Sequence, residues 1–168
     1  KYIDYLTDAF IISQAKRYDV KGKKYINTPA KYYFVDLGLR NARLNFRQLE
    51  ESHLMENVIY NELIARGFSV DVGVVEVNSK NKNGNFSIKQ LEVDFVCNSG
   101  DKRYYVQSPL TMPTREKTIQ EQRSLMNIND SFKKIIIVKD VISSWYTEEG
   151  ILIVSLFDFL LNPDVFNY

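Results

Sequence analysis

Two carboxylates and one carboxamide occur on neighbouring stretches of strand character. Glu92 and Asp94 lie two residues apart in the run Ile88–Cys97, and residues two apart on a strand point to the same face of a sheet. The polar turn Asn98–Asp101 then returns the chain in a hairpin, so Gln107 lies opposite Glu92 or Asp94, depending on the register. Mg²⁺ prefers oxygen ligands of this kind, and a bound Mg²⁺ could activate water for phosphodiester cleavage. The pattern therefore predicts a metal site formed by Glu92, Asp94 and Gln107.

The other face of the same strand is apolar. Leu91, Val93 and Phe95 alternate with the two acids, which predicts a strand with these three side chains in the core and the acids on the opposite face. For Asp94 two interpretations stay open, a metal ligand and an ordinary surface acid, because clustered acids indicate a site only statistically.

A helix is predicted over Ser52–Arg66, and it carries a further acid, Glu56. Apolar residues recur at helical spacing at positions 55, 59 and 63, Ser52 fits the N-cap, and Gly67 stands where a glycine ends a helix. Glu56 borders the apolar face, where it could act as a catalytic acid or form hydrogen bonds within the fold. The single histidine, His53, is interpreted as a structural or solvent-facing group.

The elements beyond residue 50 alternate between helix and strand. The predicted order is helix, three strands, helix, strand, strand and helix, with strands at 68–77, 88–97, 102–108, 133–139 and 151–156 and later helices at 113–128 and 157–161. The crossover through the second helix favours a parallel pair of strands. The predicted class is α/β with a mixed sheet.

The first 48 residues form a separate predicted unit. Residues 1–10 have helical spacing, Ile11–Tyr18 and Lys31–Val35 have strand character, and Asp36–Leu49 is a connector that could include a short helix. A helix followed by a basic, aromatic hairpin is typical of the last part of a winged helix, and a plain β-hairpin fits equally well. The predicted division is a winged-helix remnant with its connector at 1–48 and a second domain at 49–168.

Five basic residues are candidates for nucleic-acid contact. They lie in the hairpin turn and in the connector: Lys21, Lys23, Lys24, Arg40 and Arg43. Phosphate contacts would use such side chains, although a solvated surface is the alternative. The 22 basic and 21 acidic residues give a net charge of +1, which favours a protein partner or weak DNA contact over tight DNA binding.

The first residue and the composition predict a fragment of a cytoplasmic protein. Lys1 is not a natural initiator, the chain shows no signal peptide or membrane span, and the lone Cys97, expected to be a small buried residue, fits a reducing compartment. No Walker-type glycine-rich loop occurs, so this fragment is not expected to bind ATP in that way.

The acids and the element order resemble the PD-(D/E)xK nuclease superfamily. That restriction-endonuclease-like core is α-β-β-β-α-β, with a helical Glu, a central-strand Asp, and Glu or Gln followed by x-Lys on the next strand. The resemblance assigns these catalytic positions to Glu56, Asp94 and Gln107. The Lys position falls on Pro109, which has no cation, so the signature is degenerate. Arg115 or Lys117 of the next helix is a weak substitute.

A narrower resemblance covers nearly the whole chain. The segments 31–41, 53–63, 66–67, 92–96 and 105–107 occur in the order found in a domain of unknown function, family 4143, that follows the core of prokaryotic AAA-type ATPases. The resemblance implies a partial winged helix, a degenerate nuclease-like domain and an upstream ATPase domain as partner. We therefore expect a non-catalytic accessory domain that binds nucleic acid or a protein. The alternatives are an active Mg²⁺-dependent nuclease and an oligomerisation module.

Overall fold

The computed structural model describes residues 2–47, 50–80, 86–140 and 143–167. Its helices are α1 (Tyr2–Asp8), α2 (Leu37–Arg43), α3 (Glu51–Ala65), α4 (Arg115–Met126) and α5 (Leu156–Leu161), followed by a 3-10 helix at Val165–Asn167. Its strands are β1 (Ile12–Ala15), β2 (Arg17–Asp19), β3 (Lys24–Tyr25), β4 (Lys31–Phe34), β5 (Ser69–Lys80), β6 (Phe86–Ser99), β7 (Lys102–Gln107), β8 (Lys133–Val138), β9 (Trp145–Tyr146) and β10 (Leu152–Ser155). The element order predicted after residue 50 is confirmed, with the short strand β9 in addition.

Among the described residues, eight strands form one mixed sheet in the order β3-β2-β5-β6-β7-β8-β10-β9. The strands β5, β6 and β7 are antiparallel neighbours, whereas β8 is parallel to both β7 and β10. The parallel pairing follows from the crossover through α4, which returns the chain to the same end of the sheet. The fold is thus mixed α/β with a mixed sheet, as predicted.

The sheet has a core on each face. Ile59 of α3 and Phe159 of α5 belong to the first core, and Leu125 of α4 belongs to the second. The strands β8 and β10 lie between these layers, and all four residues of β10 are buried. Because both faces of these strands are covered, their sequences are continuous apolar runs rather than alternating apolar and polar residues.

The helix α3 is 15 residues long and ends as predicted. Gly67 has a φ of 82°, and its N–H donates to the carbonyl of Ile64 while the N–H of Phe68 donates to that of Leu63. This pair of bonds is the Schellman end, which a glycine accommodates without steric cost. Within the described residues, no helix combines the length and apolar character needed to cross a membrane.

The predicted strand Ile11–Tyr18 is wrong as a single element, because it is divided between two pairings. β1 pairs antiparallel with β4 in a separate two-stranded sheet, and β2 runs parallel to β5 at the edge of the large sheet. Ala15 and Tyr33 of the small sheet belong to the same core as α3. Residues on both sides of position 48 therefore pack against one another, and the division into 1–48 and 49–168 stays a prediction.

Candidate functional site

The acids of β6 lie at a β-bulge. The register between β5 and β6 shifts between Asp71 and Gly73, so that Val72 faces two residues of β6, Asp94 and Phe95. A bulge of this kind interrupts the alternation of side chains and re-aims them, and bulges are frequent beside functional sites.

The prediction that Leu91, Val93 and Phe95 share one face is wrong for Phe95. Leu91 and Val93 pack in the core on the α4 side of the sheet, but Phe95 packs in the core on the α3 side. Because the bulge adds a residue to β6, the alternation restarts after Asp94. Glu92 and Asp94 therefore stay together on the α3 face, as predicted, and Phe95 joins them.

Gln107 stands opposite Asp94 rather than Glu92. The pairing of Phe95 with Val106 sets this register, and the Asp94 N–H donates to Gln107 Oε1 across 3.1 Å. The carboxamide oxygen that was predicted as a metal ligand thus already accepts a backbone hydrogen bond.

Asp94 is held by the residue that follows Gln107. The Ser108 N–H and hydroxyl both donate to Asp94 Oδ2, across 2.8 Å and 2.7 Å. Burial raises the pKa of Asp94 to about 6, and the nearby charge of Glu56 adds to this effect, while the Ser108 bonds and Lys31 oppose it. This carboxyl group is therefore protonated more readily than an ordinary aspartate, as expected for a partly buried acid beside another acid.

A lysine from β4 joins the other two acids. Lys31 Nζ lies 2.9 Å from Glu56 Oε1 and 2.7 Å from Glu92 Oε1. Burial alone would lower the pKa of Lys31, but the two carboxylates outweigh burial and the pKa is raised. The side chains of Lys31, Glu56 and Glu92 are 26%, 17% and 35% exposed, so these ion pairs are half-buried and stronger than surface pairs.

An arginine from β2 completes the network on the far side of Glu92. Arg17 Nη1 lies 2.6 Å from Glu92 Oε2, and Arg17 Nε donates to the carbonyl of Pro29. Burial acts to raise the pKa of Glu92, but Lys31 and Arg17 reverse this and hold the pKa below its usual value. Both oxygens of Glu92 are therefore engaged by basic side chains of the protein.

Glu56 is also fixed by Tyr33. The Tyr33 hydroxyl donates to Glu56 Oε1 across 2.7 Å, and burial together with the charge of Glu56 raises the pKa of Tyr33, so the hydroxyl stays a donor. The Tyr33 ring stacks on Tyr60 with centroids 4.0 Å apart. Glu56 thus forms hydrogen bonds within the fold, and its catalytic role stays a prediction.

Asn57 positions β4 against α3. Its side chain is buried, accepts from the Phe34 N–H across 2.9 Å and donates to the Phe34 carbonyl across 2.8 Å. These two bonds fix the edge of β4, and Lys31 and Tyr33, which are two residues apart on that strand, both meet Glu56.

Sequence reasoning missed Arg17, Lys31, Tyr33 and Asn57 as parts of the site. Lys31 and Tyr33 were interpreted as wing residues, since nothing local shows that β4 packs on α3. The available signal was their two-residue spacing, which places a cation and a hydroxyl on one face of the strand.

The Mg²⁺ site predicted at Asp94, Glu92 and Gln107 stays a prediction. In the described parts of the chain, no three His, Cys, Asp or Glu side chains are grouped so that they could hold a metal ion. Of the oxygens in this set, Asp94 Oδ2 accepts from Ser108, and Gln107 Oε1 accepts from the backbone of β6. The two oxygens of Glu92 bond Lys31 and Arg17.

Two open cavities flank the network. One of about 410 Å³ is lined by Arg17, Pro29 and Glu92, and the other, of about 280 Å³, is lined by Arg40 and Glu56 among others. The charged cluster is thus accessible to solvent from both sides.

The five predicted nucleic-acid contacts are on two elements. Lys21, Lys23 and Lys24 are exposed in the β2–β3 hairpin, where Lys21 Nζ donates to the Glu76 carbonyl. Arg43 is exposed on α2, and Arg40, partly buried, lines the cavity beside Glu56. Their contact with nucleic acid stays a prediction.

Two further residues have structural partners, and a third is buried. Lys117, considered as a substitute for the missing lysine, pairs with Glu121 on its own helix at 2.5 Å. His53 pairs with Glu50. Cys97 is fully buried, and burial raises the pKa of its thiol, which agrees with its interpretation as a small apolar residue.

Comparison with known proteins gives relatives without an assigned activity. A family model described as a domain of unknown function (DUF8612) matches residues 1–50, the segment that carries Arg17 and Lys31. An uncharacterized protein of Haemophilus influenzae (strain Rd) is 35% identical over 164 residues. The match covers 96% of this chain but spans 36% of that protein's length. No solved structure matches.

Proposed function

We propose that this chain is a non-catalytic accessory domain of a longer AAA-type ATPase, with a nuclease-like fold whose acidic site has become an internal ion-pair network. Its role is to bind a protein partner or nucleic acid. The carrying observation is Lys31, whose ammonium group bonds Glu56 and Glu92 at once. A protein cation thus supplies the charge compensation that a metal ion would give such acids.

The nuclease-like ancestry is supported by where the acids lie in the fold. Glu56 is on the helix α3, Asp94 on the middle strand of the hairpins β5–β6–β7, and Gln107 at the end of the third strand. This is the order of the PD-(D/E)xK signature on its α-β-β-β-α-β core. The proposed winged-helix remnant rests on α1 and the antiparallel pair β1–β4.

The proposed ATPase context rests on the order of the sequence motifs and on the length of a relative. The Haemophilus protein extends well beyond the matched region, so there is room for a further domain in a protein of this kind. ATP would bind in that domain.

A cleavage assay tests the non-catalytic role. Supercoiled and linear DNA would be incubated with the purified protein and Mg²⁺ or Mn²⁺, beside the matched variant Asp94→Asn. We expect no cleavage by either protein at equal folded content. Cleavage by the parent that disappears in Asp94→Asn would overturn the proposal.

The second candidate is an active Mg²⁺-dependent nuclease, and one observation favours it. Lys31 brings an ammonium group to the acids, which is the group that Pro109 does not supply. In that case Lys31→Met would abolish cleavage as completely as Asp94→Asn, while replacing the exposed Lys102 of β7 by Met would leave it unchanged.

Nucleic-acid binding is distinguished from protein binding by the basic residues. If DNA is the ligand, replacing Lys23, Lys24 and Arg43 by Ala weakens binding measured by fluorescence anisotropy and flattens its salt dependence. Equal anisotropy curves for the parent and the triple variant favour the protein partner, which the net charge of +1 also favours.

A further inference from the structure

A cavity opens where the segment after β3 meets the strands β5 and β6. Its volume is about 410 Å³, and small-molecule sites occupy roughly 300–1,000 Å³. Four apolar and four polar residues line it: Ile26, Pro29, Val74 and Leu91, and Arg17, Thr28, Gln90 and Glu92. This space, here called the Arg17 cavity, therefore has the size and the mixed lining of a ligand site.

The walls of the Arg17 cavity are fixed by bonds within the fold. Arg17 Nε donates to the carbonyl of Pro29 across 2.9 Å, and Arg17 Nη1 donates to Glu92 across 2.6 Å. Gln90 stands opposite Glu76 in the register of β5 with β6, and its Nε2 donates to Glu76 Oε1 across 3.2 Å. Polar groups that are already positioned bind a ligand without the cost of ordering them.

Several polar groups of the Arg17 cavity keep hydrogen-bonding capacity. A guanidinium group has five N–H donors, and the bonds of Arg17 involve Nε and Nη1. Among the described residues, no partner bonds Arg17 Nη2, the Thr28 hydroxyl or Gln90 Oε1. Each Glu92 oxygen bonds one basic side chain, and a carboxylate oxygen can accept a second hydrogen bond. The cavity thus offers a ligand both donors and acceptors.

This combination of groups matches the chemistry of a nucleobase. Proteins read base edges with hydrogen bonds from Arg, Gln and Glu side chains, and they hold an unpaired base between aromatic or apolar side chains. Arg17, Gln90 and Glu92 supply the first set, and Ile26 and Leu91 belong to the second. An inorganic anion, in contrast, would leave the apolar side chains uncovered and would face the Glu92 carboxylate.

The turn beside the Arg17 cavity is basic. The segment 20–25, here called the lysine turn, contains three exposed lysines and no acidic residue, and the Asp19 carboxylate before it accepts from the Gly22 N–H. Lys21 Nζ donates to the carbonyl of Glu76, the residue whose side chain bonds Gln90, so the turn lies next to the cavity. A phosphate attached to a base in the cavity would therefore meet basic side chains, although the whole chain is close to neutral.

We infer that the Arg17 cavity binds a single unpaired nucleobase, with the phosphate of that nucleotide directed to the lysine turn. The inference rests on the proposed function, because it names the ligand in its nucleic-acid form. A base that is paired and stacked in a duplex cannot enter such a cavity unless it is extruded. The same chemistry is found in a base of a single strand and in a free nucleotide, and the test separates these two sources.

Methyl NMR of the purified protein in EDTA tests the inference. The ring current of a base in the cavity shifts the methyl resonances of Ile26 and Leu91, whereas phosphates have no such ring current. The ligand is a short single-stranded oligodeoxynucleotide of mixed sequence. Its matched control is a strand of the same length without bases, which keeps all phosphates. The methyl groups of Ile119, exposed on α4, report shifts that are unrelated to the cavity.

We expect the intact strand to shift the Ile26 and Leu91 resonances and to leave those of Ile119 unchanged, and we expect the abasic strand to shift none of them. Gln90→Met should weaken the affinity read from these shifts about tenfold, because it removes one pair of hydrogen bonds and keeps the length of the side chain. Gln120→Met, the same change at an exposed position of α4, should leave the affinity unchanged.

An intact strand that binds without shifting Ile26 and Leu91, or an abasic strand with the same effect, would overturn the inference alone. Thymidine and guanosine monophosphates identify the source: shifts at the concentrations needed for the strand indicate a free nucleotide, and shifts only at much higher concentrations indicate a base of a strand. Absence of any binding would overturn the inference together with the nucleic-acid form of the proposed function, and would leave the protein partner. Because EDTA prevents metal-dependent cleavage, none of these results depends on the non-catalytic role.

Discussion

Replacing Lys31 by Met tests whether the ion-pair network holds the acidic face together. Met keeps most of the aliphatic length of Lys31 but removes the ammonium group that bonds Glu56 and Glu92. Glu56 then keeps the bond from Tyr33, and Glu92 keeps Arg17. The change therefore leaves two half-buried carboxylates with fewer partners than before.

The expected loss lies between two limits. Removing one partner of a fully buried pair costs about 3–5 kcal/mol, and an exposed pair contributes about 0–1 kcal/mol. Because Lys31 and Glu56 are 26% and 17% exposed and each acid keeps one partner, we expect a loss of about 2 kcal/mol in the free energy of unfolding. For a domain of this size that corresponds to a decrease of roughly 4–8 °C in Tm.

Urea denaturation at pH 7 measures this loss against a matched control. Lys21 is exposed and bonds a carbonyl oxygen, so Lys21→Met should change the free energy of unfolding by less than about 0.5 kcal/mol. Adding Glu56→Gln to Lys31→Met removes the uncompensated charge and should restore about half of the lost stability. The reasoning is refuted if Lys31→Met is no more destabilising than Lys21→Met, or if Glu56→Gln adds its effect independently.

Three further predictions concern residues of the neighbouring strands β5 and β6. The pKa of Asp94 is raised to about 6 from roughly 3.9 in an unfolded chain, so its contribution to stability is complete below about pH 4 and is lost as the pH rises through 6. Asp94→Asn should therefore equal the parent in urea titrations near pH 4 and exceed it by up to about 3 kcal/mol near pH 8; a parent that gains on the variant with rising pH contradicts this. The pKa of Glu92, in contrast, is lowered in the folded protein. Ionised Glu92 therefore stabilises the fold at pH values above its pKa in the unfolded chain, and this stabilisation is lost as the pH falls. Glu92→Gln should thus lower the Tm at pH 7 and change it little at pH 3, as measured by thermal unfolding. Gly73→Ala would place a methyl group 2.8 Å from Val93 Cβ and should destabilise by about 1–3 kcal/mol in the same assay; an unchanged Tm would show that the bulge relaxes.

The sequence predicts the elements well because their patterns are local. The apolar spacing of α3, the glycine at position 67 and the turn after β6 each depend on a few neighbouring residues. The mixed sheet then follows from the order of helices and strands. The position of the β-bulge at Asp94 cannot be predicted in this way, because it depends on how β5 pairs with β6, and no local pattern shows that pairing.

Only part of the candidate site can be predicted from the sequence, for a similar reason. Glu56, Glu92, Asp94 and Gln107 could be grouped by strand alternation and hairpin pairing. Their partners Arg17 and Lys31 come from strands near the start of the chain. Arg17 is placed by the pairing of β2 with β5, and Lys31 by the bonds that join β4 to Asn57 of α3. Such tertiary contacts decide whether an acidic face is open to a metal ion or occupied by cations of the protein.

Mn²⁺ binding measured by electron paramagnetic resonance tests most directly whether the acids are held by Lys31 and Arg17 rather than by a metal ion. The parent protein and Asp94→Asn would be titrated with Mn²⁺ at pH 7.5. Weak, unsaturated and equal binding by both proteins is the predicted result. A saturable site in the parent that is missing in Asp94→Asn would contradict it and would return Asp94, Glu92 and Gln107 to the role of metal ligands.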